Sequence, residues 1–219
     1  MQAFLALVER RKNHEPVAYI LGTKDFYGRP FFVSSDVLIP RPSTEGLVTC
    51  ALDFLRTQQD EICEVDSGIV AVSKRLGDLS SVRTVADIGT GSGCIAITLA
   101  LALPEFHIIA TDVHTEALAV ARRNAGKHNV LEQMELRAGS LLEPLLHCTE
   151  PFIVVSNPPY IPAREDVMDD VAQFEPAHAL YGGETGSDLL LALWQQAKET
   201  PMCRGCVFEC RAEQAKEIL

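Results

Sequence analysis

From Thr84 onward, short β-rich runs alternate with helical patterns, and that alternation constrains the fold more than any other feature of the chain. The runs are TVADI (84–88), HIIAT (107–111), MELRA (134–138), FIVVS (152–156) and CVFEC (206–210). Between them lie CIAITLALAL, ended by Pro104; TEALAVARRNAGKHN, opened by Thr115 as a cap; and GSDLLLALWQQAKET, opened near Ser187 and ended by Pro201. A parallel neighbour needs a long crossover, and right-handed crossovers wind the helices over both faces of the sheet. The expected fold class is therefore α/β, a doubly wound Rossmann-like sheet with five visible strands. Ligands of such a sheet bind beyond the carboxyl ends of the strands, near the point where the strand order reverses.

Upstream, AFLALVERR reads as one amphipathic helix and DFYGRPFFVSSDVLIP (25–40) as a hairpin-like pair of strands around Gly28. RPSTEGLVTCALDFLRTQ (41–58) reads as a helix behind a proline-bounded loop, and residues 59–83, mixed in charge and weak in period, as a surface connection. A chain of 219 residues supports one substantial domain with a real core. The net charge of -11 repels phosphate backbones, so direct nucleic-acid binding is not expected. No apolar run is long enough to span a bilayer, and the start does not have the form of a signal peptide, so a cytoplasmic or organelle-matrix protein is expected. Seven scattered cysteines suit free thiols in a reducing compartment. Only Cys203-x-x-Cys206 has metal-ligand spacing, and without a second pair it predicts no zinc site.

The first strand runs into DIGTGSGC, with Gly89, Gly91 and Gly93 alternating with Thr90 and Ser92. Missing side chains in a strand-to-helix turn let a ligand approach the backbone, and the following helix start offers its N–H groups. Asp112 closes the second strand, where a carboxylate can accept both hydroxyls of a ribose. The spacing is not that of a dinucleotide fingerprint, which favours adenosylmethionine (S-adenosyl-L-methionine) over a nicotinamide cofactor because no pyrophosphate needs cradling. Asp87, two residues before Gly89, suits either of two tasks: reaching the methionine ammonium or capping the turn.

The fourth strand ends in SNPPY, which proline alone could explain as punctuation. In a doubly wound sheet, however, the first and fourth strands are neighbours, so Asn157 emerges beside the glycine loop. Two prolines stiffen the turn and leave the Asn157 side chain and the Pro158 carbonyl as acceptors for one substrate NH2 group. The Tyr160 ring can pack against the planar group that carries it.

SNPPY and DIGTGSG, with PVAYILGTKDFYGRPFFVSSDVLIPRP (16–42) upstream and QFEPAHALYGGETGSD (173–188) downstream, resemble the HemK/PrmC family of protein-glutamine methyltransferases. The resemblance covers nearly the whole chain apart from residues 59–83. It implies methyl transfer from adenosylmethionine to the side-chain amide of the glutamine in the Gly-Gly-Gln motif of a peptide-chain release factor. It further implies that Gly89, Thr90, Gly91, Ser92, Gly93, Asp112 and Asn157 hold the cofactor, with Leu141 beside the adenine. Asn157, Pro158, Pro159 and Tyr160 would hold the glutamine, with Asn157, Pro158 and Tyr160 as the catalytic set.

The family pattern R-P-E-T-E is Arg41-Pro42-Ser43-Thr44-Glu45 in this chain, placing Ser43 where an acid is expected on the cofactor side. The resemblance also implies a division into residues 1–40, a remnant N-terminal helix with a linking hairpin, and residues 41–219, a class I methyltransferase domain lacking its last two strands. Two other readings keep the same residues. N-P-P-Y also serves methylation of exocyclic amino groups of adenine or guanine, and the scaffold could bind adenosylmethionine without turnover.

Overall fold

The computed structural model describes residues 1–218, leaving aside the side chain of Gln2. The chain opens with α1 (Gln2–Lys12) and α2 (Val17–Leu21), followed by an antiparallel hairpin of β1 (Thr23–Phe26) and β2 (Arg29–Phe32). That hairpin is fastened to the body by Asn124, whose Oδ1 accepts the Phe32 N–H at 2.7 Å while its Nδ2 donates to the Phe32 carbonyl at 2.9 Å. After α3 (Ser43–Thr57) comes a second hairpin, β3 (Glu61–Asp66) and β4 (Ile69–Arg75). The alternating region follows: β5 (Thr84–Ile88), α4 (Cys94–Ala102), β6 (His107–Asp112), α5 (Thr115–Lys127), β7 (Met134–Ala138), β8 (Phe152–Ser156), α6 (Asp169–Phe174), α7 (Asp188–Glu199), β9 (Cys203–Arg211) and α8 (Ala212–Ala215).

The main sheet has seven strands in the order β3-β4-β9-β8-β5-β6-β7. The five strands expected from the sequence form its parallel part, and their pairing puts β5 between β6 and β8. The expectation of two missing strands is corrected by residues 61–75, which are not a surface connection. The whole of β4 lies antiparallel along β9, from Ile69 against Arg211 to Arg75 against Gly205, and β3 forms the outer edge. The period was hard to read because β3 alternates charged residues on a solvated edge while β4 is covered on both faces. Thr115 is also corrected as a cap. α5 begins at Thr115, His114 occupies the cap position, and the Thr115 hydroxyl donates to its neighbour Glu116.

Side chains alternate across the sheet as strand geometry requires. Val85, Ile153 and Val207 face a cluster with Leu47, Phe54 and Ile97 of α3 and α4. Ala86, Val154 and Phe208 face the opposite cluster with Leu190, Leu193 and Trp194 of α7. Phe54 lies so close to β9 that a Cβ on Gly205 would meet its ring at 2.7 Å, so the ring packs directly on the strand backbone there. Full burial of such a ring stabilises the fold by about 2–3 kcal/mol. With both faces covered, the strand ends Ile88, Asp112, Ala138 and Ser156 open on one crevice, on either side of the point where the order turns from β5 to β6 and β8.

Candidate active site

The glycine loop is built around a buried carboxyl. Asp87 is fully buried; its Oδ2 accepts the Thr90 hydroxyl at 2.6 Å and the Ala96 N–H of α4 at 3.1 Å. Gly93 has no side chain to cap α4, so Asp87 does this from the strand below. Burial pushes the Asp87 carboxyl up to about 7, against the pull of those two donors. Of its two expected tasks, Asp87 performs the capping. Gly89 and Gly91 have φ of 73° and 53°, and a Cβ on either would stand in open space, the space of the neighbouring cavity.

That cavity measures about 170 Å³ and is lined by Gly89, Gly91, Asp112, Leu141, Asn157 and His178 among others. Asp112 is held by two backbone donors: Gly91 N–H reaches Oδ2 at 2.9 Å and His114 N–H reaches Oδ1 at 3.0 Å. Each oxygen keeps lone pairs for a further partner, as a ribose diol requires. Leu141 takes φ of 48°, a costly conformation for a branched side chain, at the cavity wall. His178 stacks on His114 with ring centroids 3.6 Å apart, and burial together with that neighbour keeps its pKa below the usual histidine value. Among the described residues, Asp36 and Asp112 are the charged side chains of the lining, with no lysine or arginine. The donor set therefore fits adenosylmethionine, a cation with a ribose diol, and gives a pyrophosphate nothing to pair with.

A second cavity of about 330 Å³ adjoins the first and is lined by Arg41, Tyr160, Asp166 and Met168 among others. Asn157, Pro158 and Pro159 line both. The turn is fixed at its start by the Ser156 hydroxyl, which donates to the Ile88 carbonyl at 2.7 Å and ties the ends of β8 and β5 together. Asn157 Nδ2 donates to Thr44 Oγ1 at 3.0 Å, leaving Oδ1 as its free acceptor. Arg41, on the wall of the second cavity, pairs with buried Glu175 at 2.6 Å.

Of the residues expected at the site, Gly89, Gly91, Asp112, Leu141, Asn157, Pro158 and Pro159 line the first cavity, and Tyr160 lines only the second. Thr90, Ser92 and Gly93 do not line either. Thr90 bonds Asp87, the Ser92 carbonyl accepts Asn124 Nδ2 at 2.8 Å, and a Cβ on Gly93 would press on Ala121 and Ile97. Alternate residues of a tight loop face opposite ways, which turns Thr90 and Ser92 into the protein, while Gly93 is closed off by its packing at the start of α4. Ser43 is corrected too: it does not line the first cavity, but lies buried with its hydroxyl 3.4 Å from Glu209 Oε1. Glu209, Thr44 and His178 were missed. A lone acid inside the apolar run CVFEC was the available signal for Glu209. Cys203 and Cys206 are buried with sulfurs 3.9 Å apart. Among the described residues no helix is long and apolar enough to cross a membrane.

Two family models match the chain: Methyltransferase small domain over residues 63–196 and PrmC N-terminal domain over residues 1–22. The bifunctional methyltransferase of Rickettsia typhi is 35% identical over 226 residues, all of this chain and 42% of that protein. The release factor glutamine methyltransferase of Chlorobaculum tepidum is 38% identical over 224 residues, again all of this chain and 70% of the relative. The chain thus spans less than half the length of the bifunctional relative. Among solved structures, the hMettl16 catalytic domain in complex with MAT2A 3'UTR hairpin 6 shares the fold, with a TM-score of 0.53 at 13% identity over 90% of this chain and 73% of that one. With these matches and the two cavities joined at one turn, the chain belongs to the HemK/PrmC family.

Proposed function

We propose that the protein transfers a methyl group from adenosylmethionine to the side-chain amide nitrogen of the glutamine in the Gly-Gly-Gln motif of a peptide-chain release factor. The observation that carries this reading is the shared wall, since Asn157, Pro158 and Pro159 belong to both cavities and an acceptor in one meets a donor in the other across them. Bound adenosylmethionine supplies an electrophilic methyl group on a positively charged sulfur. Asp112 holds the ribose hydroxyls with the lone pairs its backbone partners leave free, and Leu141 packs beside the adenine.

An amide nitrogen is barely basic, because its lone pair is delocalised, so positioning contributes more than a strong base. Asn157 Oδ1 and the Pro158 carbonyl accept the two N–H bonds of the target and meet the positive charge that develops on nitrogen. The Tyr160 ring packs on the amide plane. The surplus proton leaves to water once the methyl group has moved. Residues 1–40 link and support the site, while residues 41–219 form the methyltransferase domain. The compartment is reducing, cytoplasm or organelle matrix, in keeping with the free cysteines.

The test uses labelled adenosylmethionine with a release factor, its Gly-Gly-Ala variant, and RNA or DNA in competition. Label on the Gly-Gly-Gln protein alone is expected. Label on nucleic acid would move the acceptor to an amino-bearing base, and binding without transfer would leave a silent binding module.

A further inference from the structure

Behind the shared turn lies a buried acid that the reaction above does not use. Glu209 stands on β9, fully buried, with Ser43 donating to Oε1 at 3.4 Å and Oε2 without a hydrogen-bond partner among the described residues. The hydroxyls of Thr44 and Tyr160 and the amide of Asn157 also act on this carboxyl, each favouring its ionised form against a burial that pushes it up to about 7. Thr44 is itself buried, and its oxygen accepts Asn157 Nδ2 at 3.0 Å. A hydroxyl has one proton to give. With its oxygen accepting from Asn157, Thr44 keeps its hydroxyl proton to give, and the buried Glu209 carboxyl is the acceptor on which that hydroxyl acts. A proton given that way would complete a directed chain, Asn157 N–H to Thr44 O–H to carboxylate.

We propose that Glu209 is a positioning residue: acting through Thr44, it fixes which way the Asn157 amide is turned, so that Oδ1 rather than Nδ2 meets the target NH2 group. This deepens the reading of the site as an amide methyltransferase and rests on it. The two ends of an Asn side chain are nearly isosteric, and only the hydrogen-bond partners decide the orientation. Thr44 alone cannot decide, because a hydroxyl both donates and accepts. Once ionised, as it is above a pH of about 7, the carboxyl only accepts and so sets the direction of the whole chain. A flipped Asn157 would oppose NH2 to NH2 and lose the acceptor on which orientation depends.

The test compares Glu209→Gln, Thr44→Val, Thr44→Ser and the double variant Glu209→Gln/Thr44→Val with the wild type. In Glu209→Gln the new side-chain amide can donate its NH2 to Thr44 and reverse the chain. Single-turnover transfer to a release factor should fall roughly 10- to 100-fold in Glu209→Gln and in Thr44→Val, within the loss typical of a removed preorganised acceptor. Thr44→Ser should restore it, cofactor affinity should stay constant, and the double variant should be no slower than the worse single one. Glu209→Gln should melt no lower than the wild type, because it removes a buried charge. A merely structural Glu209 predicts the reverse: a lower melting temperature with a normal rate in the protein that stays folded.

Wild-type rates in either single variant, or losses that multiply in the double one, would overturn the proposal. If the wild type itself transfers nothing to the release factor, the methyl-transfer reading fails separately. Hydrogen exchange of the Asn157 side-chain amide, followed by nuclear magnetic resonance, then decides. Faster exchange in Thr44→Val and Glu209→Gln supports the relay, and unchanged exchange refutes it.

Discussion

Asp87 and Glu209 are two solutions to one task, a buried acid placed beneath a working turn. Each keeps one oxygen without a partner among the described residues, and burial drives each up to about 7. Their partners differ. Asp87 grips its own neighbourhood, the Thr90 hydroxyl and the Ala96 N–H, so it fixes a backbone shape that cannot change without undoing the loop. Glu209 is met by side chains from segments far apart in the chain, Ser43 and Thr44 on one side and Asn157 and Tyr160 on the other. It orients atoms rather than backbone. The acid on β5 thus shapes the loop that faces the first cavity, while on the proposed reading the acid on β9 serves turnover.

The largest expected effect tests the turnover side of this contrast. Asn157→Ala should slow methyl transfer roughly 100- to 1000-fold while cofactor affinity changes little. A folded variant with near-normal single-turnover rate would erase the distinction between the two sides. Next in size is the pH dependence of stability. Both acids have folded-state values near 7, above those of the unfolded chain, so the native state holds protons the unfolded state releases. Their contribution is fully present below pH of about 4 and is lost as pH rises toward about 7. Asp87→Asn and Glu209→Gln should each flatten that decline by about 3 kcal/mol in denaturant melts taken across the window. Equal slopes in wild type and variants would show that neither acid is protonated in the fold.

On the binding side, Asp112→Ala should weaken adenosylmethionine and its demethylated product by about 1.5–3 kcal/mol, the loss expected for a charged acceptor. Calorimetry that finds unchanged affinity would remove Asp112 from the site. Tyr160→Phe should have the smallest effect, about two- to five-fold on transfer, because it deletes one of several donors acting on Glu209 and leaves the ring in place. A hundredfold loss would mean that the hydroxyl itself touches the reacting amide.

Much of the parallel sheet was legible. MELRA and FIVVS coincide with β7 and β8, the first by its apolar-polar alternation and the second as a short apolar run bounded by polar turns. The β3–β4 hairpin was not legible, since its pattern makes sense only beside β9, whose sequence lies far downstream. The same distance hid Glu209: nothing local to CVFEC says that Thr44 and Asn157 will converge on it. Ser43 was misplaced for a related reason, as the side a helix presents depends on where the helix docks. Within the glycine loop the motif gave the segment but not the direction of each residue, which is why Thr90, Ser92 and Gly93 turned out to serve the loop itself.

The long pairing of β4 with β9 also bears on the order of events in folding. Ile69 must find Arg211, and Arg75 must find Gly205, after the whole alternating region has been laid down between them. Contacts that close so large a loop form slowly, because its entropy is lost before the pairing repays it. Until β9 is in place, the inner edge of the β3–β4 hairpin has no strand to pair with. Closing the sheet then joins two segments far apart in the chain and completes the wall holding Glu209.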